Sequence, residues 1–155
     1  MKLSRAREKA NRLMQEHELE DWSFEFDNAK KRFGYCSYTD NTISLSEKLV
    51  EMNNEQEVED VIRHEIAHAL VGSGHGHDRA WKQKAEEVGA DPSRCYDNST
   101  VNTPDGNYIV KCPNGCFERE YFKKSKTVQC AMKDGNSPYY CRECEESLNK
   151  VVEIK

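Results

Sequence analysis

The sequence predicts an α+β protein in two parts: helices around a small antiparallel sheet, then a small Cys-rich β subdomain. Three observations predict it. Apolar residues recur every three or four positions over 4–18 and again from Val58 to Leu70, as on one face of a helix. Between those stretches, from Trp22 to Leu45, apolar and polar residues alternate as in half-buried strands. Five of the seven Cys stand at or after position 112, behind a stretch rich in Asp, Asn, Ser, Thr, Pro and Gly. The expected boundaries are a core over residues 1–92, a connector over 93–107 and the subdomain over 108–155.

With 155 residues, 36% apolar and 33% charged, the chain is wetter than an average globular protein and has room for a modest core. The net charge of −5 lies in residues 1–100, while the remainder is near neutral. An acidic whole argues against broad electrostatic wrapping of DNA and leaves room for a local basic contact in the tail. No apolar run approaches the roughly 18 residues of a membrane span. Met1-Lys2-Leu3-Ser4-Arg5 leads into charged residues rather than an apolar signal segment, so the expectation is a soluble cytoplasmic protein. In that compartment the Cys cluster reads as metal binding rather than disulfides.

The elements follow in order. Ala6, Ala10, Leu13, Met14 and His17 mark the first helix, with Ser4 as its cap and His17 as a packing or surface residue. Strands are expected at Trp22–Phe26, Phe33–Tyr38 and Thr42–Leu45, the last two joined by a turn at Asp40-Asn41. Cys36 reads as a small buried apolar side chain. Ser46 caps a short helical turn through Leu49 and Val50. Asn54, with Glu57 three residues on, starts the main helix. Val58, Ile62, Ile66 and Leu70 form its buried face, and the Gly72-Ser73-Gly74-His75-Gly76 run ends it. Trp81, Ala85 and Val88 form the apolar face of a second helix over 78–88. Tyr108–Val110 and Val151–Lys155 are expected strands of the tail.

The main helix carries His64-Glu65-Ile66-Ala67-His68. Residues four apart share a helix face, so His64 and His68 can bind one metal ion while Glu65 reaches a water upon it. Four of the five His fall between 64 and 77, a clustering that scattered core histidines would not show. A catalytic zinc takes three protein ligands and keeps one position open. The motif with a third His six residues past the second is excluded, since Val71 and Gly74 stand where it needs Gly and His. The candidates are His77, His75, and a carboxylate at Glu86 or Glu87. His77 is chosen, because a fold-back at the glycine-bearing turn brings the start of the second helix to the first, with Trp81 one turn later beneath the site. Zinc acidifies its water towards a pKa of about 7. Glu65 is then the general base, passing the proton to the leaving amine. Tyr35, Tyr38 and Arg79 are candidate donors to the oxyanion. An edge strand beside the helix would take extended peptide by backbone pairing, with 42–45 as one candidate.

In the tail, Cys112-Pro-Asn-Gly-Cys116 and Cys141-Arg-Glu-Cys144 are two knuckles able to hold a structural zinc, with Cys130 as a possible substitute ligand and Cys95 a non-ligand. Between them Arg119, Lys123, Lys124 and Lys126 interleave with Phe117, Tyr121 and Phe122, a composition suited to nucleic-acid contact.

These features resemble the SprT-like family, which includes the Spartan proteases. Phe33-Gly34-Tyr35-Cys36 followed by Ile43-Ser44-Leu45-Ser46 is similar to the segment before that family's active helix. Residues 61–70 match its His-Glu-x-x-His helix, Gly76-His77 with Trp81 its third-ligand segment, and the Cys pairs its zinc ribbon. The short length and the Gly-His-Gly-His run are similar to small phage and bacterial members. Asp78, where the family often has Gly, and the extra residue between Cys112 and Cys116 depart from the pattern.

The resemblance implies a zincin-like minimal metalloprotease core with a zinc-ribbon-like subdomain. It implies a zinc metallopeptidase with one catalytic and one structural Zn²⁺ and a protein substrate. In the Spartan branch that substrate is protein crosslinked to DNA, which would make DNA a partner of the ribbon. A phage-encoded member would work in the host cytoplasm. The competing readings are a non-catalytic nucleic-acid-binding adaptor and a narrow-specificity hydrolase of one regulatory protein.

Overall fold

The computed structural model describes residues 1–93, 101–132, 140–145 and 152–154, the last three as backbone only. The chain forms two compact units, Met1–Pro104 and Asp105–Lys155. Cys95 lies outside the described residues.

The first unit begins with α1 (Leu3–Glu16), which buries Ala6, Ala10, Leu13 and Met14. Ser4 does not cap it. Leu3 packs against the core, the helix starts there, and the cap position falls to Lys2, whose side chain makes no capping bond. The strands β1 (Ser23–Asp27), β2 (Gly34–Ser37) and β3 (Thr42–Ser46) follow.

The sheet is mixed, not antiparallel throughout, with order β1-β3-β2. β2 and β3 form the expected antiparallel hairpin, but β1 runs parallel to β3 in the register Ser23↔Thr42 to Asp27↔Ser46. Burial explains the order. β3 carries Ile43, Leu45 and Ser46, all wholly buried, and the most buried strand takes the centre. The strand at 42–45 is therefore not an edge; β2 is.

Ser46 caps α2 (Glu47–Met52), and Asn54 caps α3 (Glu55–Val71) by accepting the Glu57 N–H at 2.9 Å. Val58, Val61, Ile62, Ile66 and Ala67 of α3 are wholly buried. The helix ends at Gly72. After the turn, Asp78 accepts the Trp81 N–H and caps α4 (Arg79–Val88), which buries Trp81, Ala85 and Val88. α1 is tied to α3 by Lys9, which bridges Glu55 and Glu59. At the end of the unit Val101 is buried, and Asn102 exchanges hydrogen bonds with Asn53.

In the second unit β4 (Tyr108–Lys111) pairs antiparallel with β5 (Glu118–Tyr121) and with β6 (Val152–Ile154). A small core of Val110, Val128 and Ala131 forms under it. Val128 and Ala131 come from α5 (Lys126–Met132), a helix that the polar stretch between the knuckles does not announce. No helix among the described residues is long and apolar enough to cross a membrane.

Candidate functional site

α3 presents His64 and His68 one turn apart, and the turn after Gly72 returns His77 to them. The Nε2 atom of His77 lies 3.1 Å from that of His64 and 3.2 Å from that of His68. The three residues form a group whose ligand atoms all lie within 4.8 Å of one another. A tetrahedral zinc with Zn–N of about 2.0–2.1 Å needs its ligand nitrogens roughly 3.3 Å apart, so the trio fits such an ion. A shared cation would satisfy all three nitrogens at once, whereas without one they can only pair by Nε2–H to Nε2 hydrogen bonds.

Burial pushes His64 down to about 3, with the charges of His68 and His77 adding to the effect, and it pushes His68 down to about 4 with help from His77. Both rings are thus neutral at pH 7 and have a lone pair for a metal. The sign for stability follows: the folded values lie below the ordinary 6.5, so this contribution is present above 6.5 and lost as pH falls towards 4 and 3. Thermal melts of chelator-treated protein are expected to show a Tm that declines through that window, with a shallower slope in a His64→Gln variant.

Trp81 is the floor of the trio. Its ring centroid lies 4.6 Å from that of His64, 5.2 Å from His68 and 4.4 Å from His77, and the side chain is wholly buried. Asp78 has two tasks: it caps α4, and its carboxylate lies 2.7 Å from His75 Nδ1. His75 therefore lines the cleft at the trio but is not part of it. Glu86 and Glu87 lie on the exposed face of α4, where Glu87 pairs with Lys84. His17 is the C-cap residue of α1.

Glu65 is buried beside the trio, and burial raises its carboxyl to about 8, against a smaller pull from the Arg32 charge. A cation at the three nitrogens is what would return it to a carboxylate at neutral pH. The cleft, about 370 Å³, is also lined by Arg32, Gly34, Tyr35, Cys36 and Tyr38. The Tyr38 hydroxyl donates to the His68 carbonyl at 3.0 Å, which ties β2's end to the ligand helix. Tyr35 lines the cleft half exposed, whereas Arg79 does not line it. Cys36 is buried, its thiol pushed up to about 12 by burial and by the charge of Glu65, so it is an inert packing residue.

Gly34 is a site residue that the reading of the sequence missed. A Cβ there would stand 2.6 Å from Glu65 Oε1, 2.8 Å from its Cγ and 2.9 Å from Val61 Cγ1. Only a glycine lets β2 approach α3 so closely. A lone glycine inside a strand pattern was the available signal. Gly34→Ala is expected to destabilise the fold by about 1–3 kcal/mol through overpacking against Glu65 and Val61. Thermal melts beside the unaltered chain check it.

In the second unit the sulfurs of Cys112, Cys116, Cys141 and Cys144 lie within 4.8 Å of one another, with Cys112 and Cys141 buried. The additional residue in the first knuckle is absorbed by a turn in which Gly115 takes φ +75° and donates to the Cys112 carbonyl. Burial opposes ionisation of Cys112, but the N–H groups of Cys116 and Asn114 outweigh it and bring the thiol down to about 7. Four soft sulfurs in one cluster suit zinc. Cys130 sits on α5 and is not among them. Arg119, Lys123, Lys124 and Lys126 are all exposed, and Lys111 pairs with Glu118 at 3.2 Å.

A model of the SprT-like family matches residues 3–103. The chain is 27% identical to Protein SprT of Glaesserella parasuis serovar 5 (strain SH0165), over 99% of this chain and 96% of that protein. It is 28% identical to Protein SprT of Proteus mirabilis (strain HI4320), over 77% and 72%. Protein SprT of Yersinia enterocolitica serotype O:8 / biotype 1B (strain NCTC 13174 / 8081) is 29% identical, over 71% of this chain and 65% of that protein.

Proposed function

This chain belongs to the SprT-like family, and from that premise we propose that it is a zinc metallopeptidase hydrolysing peptide bonds with Glu65 as general base. The observation that carries the reading is the convergence of three imidazole nitrogens, His77 lying 3.1 and 3.2 Å from the other two, beside a buried carboxyl in an open cleft. His64, His68 and His77 would hold the ion. When bound, zinc supplies a Lewis acid for the substrate carbonyl and an acidified water. Glu65 takes the proton from the attacking water and delivers it to the leaving amine. Its burial strengthens that transfer by excluding competing solvent.

The free edge of β2 offers the backbone for the substrate. Phe33 accepts the Ser46 N–H at 2.9 Å, so positions 33, 35 and 37 bond inward to β3. Gly34 and Cys36 then turn their N–H and C=O groups outward. An extended peptide pairs there as an added strand, with its carbonyl carried past Glu65.

Cys112, Cys116, Cys141 and Cys144 would hold a second, structural zinc. Arg119 and Arg142 line a hollow of about 480 Å³ together with Phe117, Tyr121 and Tyr140 and the carboxylates Glu118 and Glu143, and Lys123, Lys124 and Lys126 are exposed on the same unit. Rings for stacking beside cations support a DNA contact, and with it DNA-bound or DNA-crosslinked proteins as substrates.

Metal analysis with a cleavage assay tests the reading. Two zinc per chain are expected, falling to one in the His64→Ala/His68→Ala double variant and to one in Cys141→Ser. Hydrolysis of an unfolded protein should cease with a chelator and return with zinc. Zinc-loaded protein that binds an oligonucleotide yet cuts nothing, with or without DNA, would favour the adaptor reading instead. Trapping of a single protein by the Glu65→Gln variant would favour the narrow-specificity hydrolase.

A further inference from the structure

The cleft carries a charged group that the hydrolytic chemistry leaves unused. Arg32 lines it on the side of β2, between Asp27 and Tyr35. Its Nη2 lies 2.8 Å from Asp27 Oδ2, and its guanidinium carbon stands 4.5 Å from the centroid of the Tyr35 ring. Asp27 is itself tethered, accepting the Ala29 N–H and the Ser44 hydroxyl, each at 2.9 Å. The arginine is therefore held from two sides, although half its side chain remains exposed. Holding a long side chain in advance removes much of the entropy cost of using it for binding.

Resting on the peptidase reading, we propose that Arg32 is a specificity-determining residue, and that the cleft selects substrates with an Asp or Glu side chain close to the scissile bond.

Three features lead there. Glu65 is the one carboxylate among the residues lining the cleft, while Lys31 and Arg32 both line it, in a chain whose net charge is −5. The guanidinium has five N–H donors in a planar fork, and the contact with Asp27 engages only one edge of it, leaving donors for a second carboxylate. A peptide paired along β2 turns alternate side chains to the Tyr35 face, which is the face that Arg32 covers. The same backbone edge favours a peptide carboxylate over a nucleic-acid phosphate as the occupant.

Peptides of one fixed background, each with Glu, Gln or Lys at one scanned position, are titrated by fluorescence anisotropy against the zinc-loaded full chain carrying Glu65→Gln. At one position Glu is expected to bind at least about fivefold tighter than Gln, and tighter still than Lys, with the preference shrinking as salt rises. Adding Arg32→Gln should erase the preference, and Arg32→Glu should turn it towards Lys. Arg32→Lys, which keeps the charge without the fork, should retain a weaker preference and serves if the Gln variant does not fold. No charge preference at any position, or the same preference in Arg32→Gln, overturns the proposal. So does a variant that loses oligonucleotide binding while its peptide preference persists. Arg32-dependent binding by a wild-type chain that cuts none of the peptides would sink the peptidase reading alone. Cleavage indifferent to charge would sink the subsite alone.

Discussion

Glu65→Gln is expected to lower the turnover of peptide hydrolysis by about 10²–10⁴-fold, the range over which a positioned general base contributes. Zinc content per chain should stay at the wild-type value, because the three imidazoles of His64, His68 and His77 are untouched. Thermal stability of the chelator-treated protein should also stay, for a reason particular to this site. Burial raises the Glu65 carboxyl to about 8, so the metal-free fold already favours the neutral form, and a neutral amide of the same shape replaces it with little loss. Single-turnover cleavage and metal analysis of the zinc-loaded variant, with a thermal melt after chelation, make the test. Retained hydrolysis would remove Glu65 from the role of base. Lost zinc would mean that Glu65 holds the site rather than serving it.

The second large effect is expected at Trp81. Trp81→Ala removes a wholly buried indole that touches all three imidazoles, their ring centroids lying 4.4 to 5.2 Å from its own. A cavity of this kind costs about 3–5 kcal/mol, enough to lower Tm by more than about 10 °C in a unit of this size. Zinc affinity should fall by about 10–100-fold, because the rings lose the surface that orients them. Trp81→Phe should cost far less in both respects, since the indole Nε1 makes no hydrogen bond among the described residues. Melts and competition with a chelating dye read the two effects. A Tm unchanged in Trp81→Ala would show that the indole is not the support of the site.

These expectations rest on features with different origins. His64 and His68 share a helix face because 3.6 residues make a turn, a relation contained in four positions of sequence. The same holds for the Asn54 and Asp78 caps and for the stop at Gly72, each a contact within a few residues. His77 could be chosen because Trp81 lies one turn further along, and the Cys pairs because each knuckle is a local turn. Lys2 in place of Ser4 at the start of α1 marks the limit of such local reasoning: a core contact by Leu3 shifted the end of the helix.

What lay beyond local pattern was the arrangement of strands. Alternation announced three strands, but it cannot rank them, because pairing is a competition for burial across the whole unit. The centre went to β3, β1 joined it in parallel, and β2 was left at the edge where a substrate strand can pair. The approach of Gly34 to Glu65 and the bracket of Asp27 and Tyr35 around Arg32 depend on that order. The chemistry of the metal centre is thus written in short-range spacing, whereas access to it and its selectivity arise from contacts between residues far apart in the chain, which no periodicity encodes.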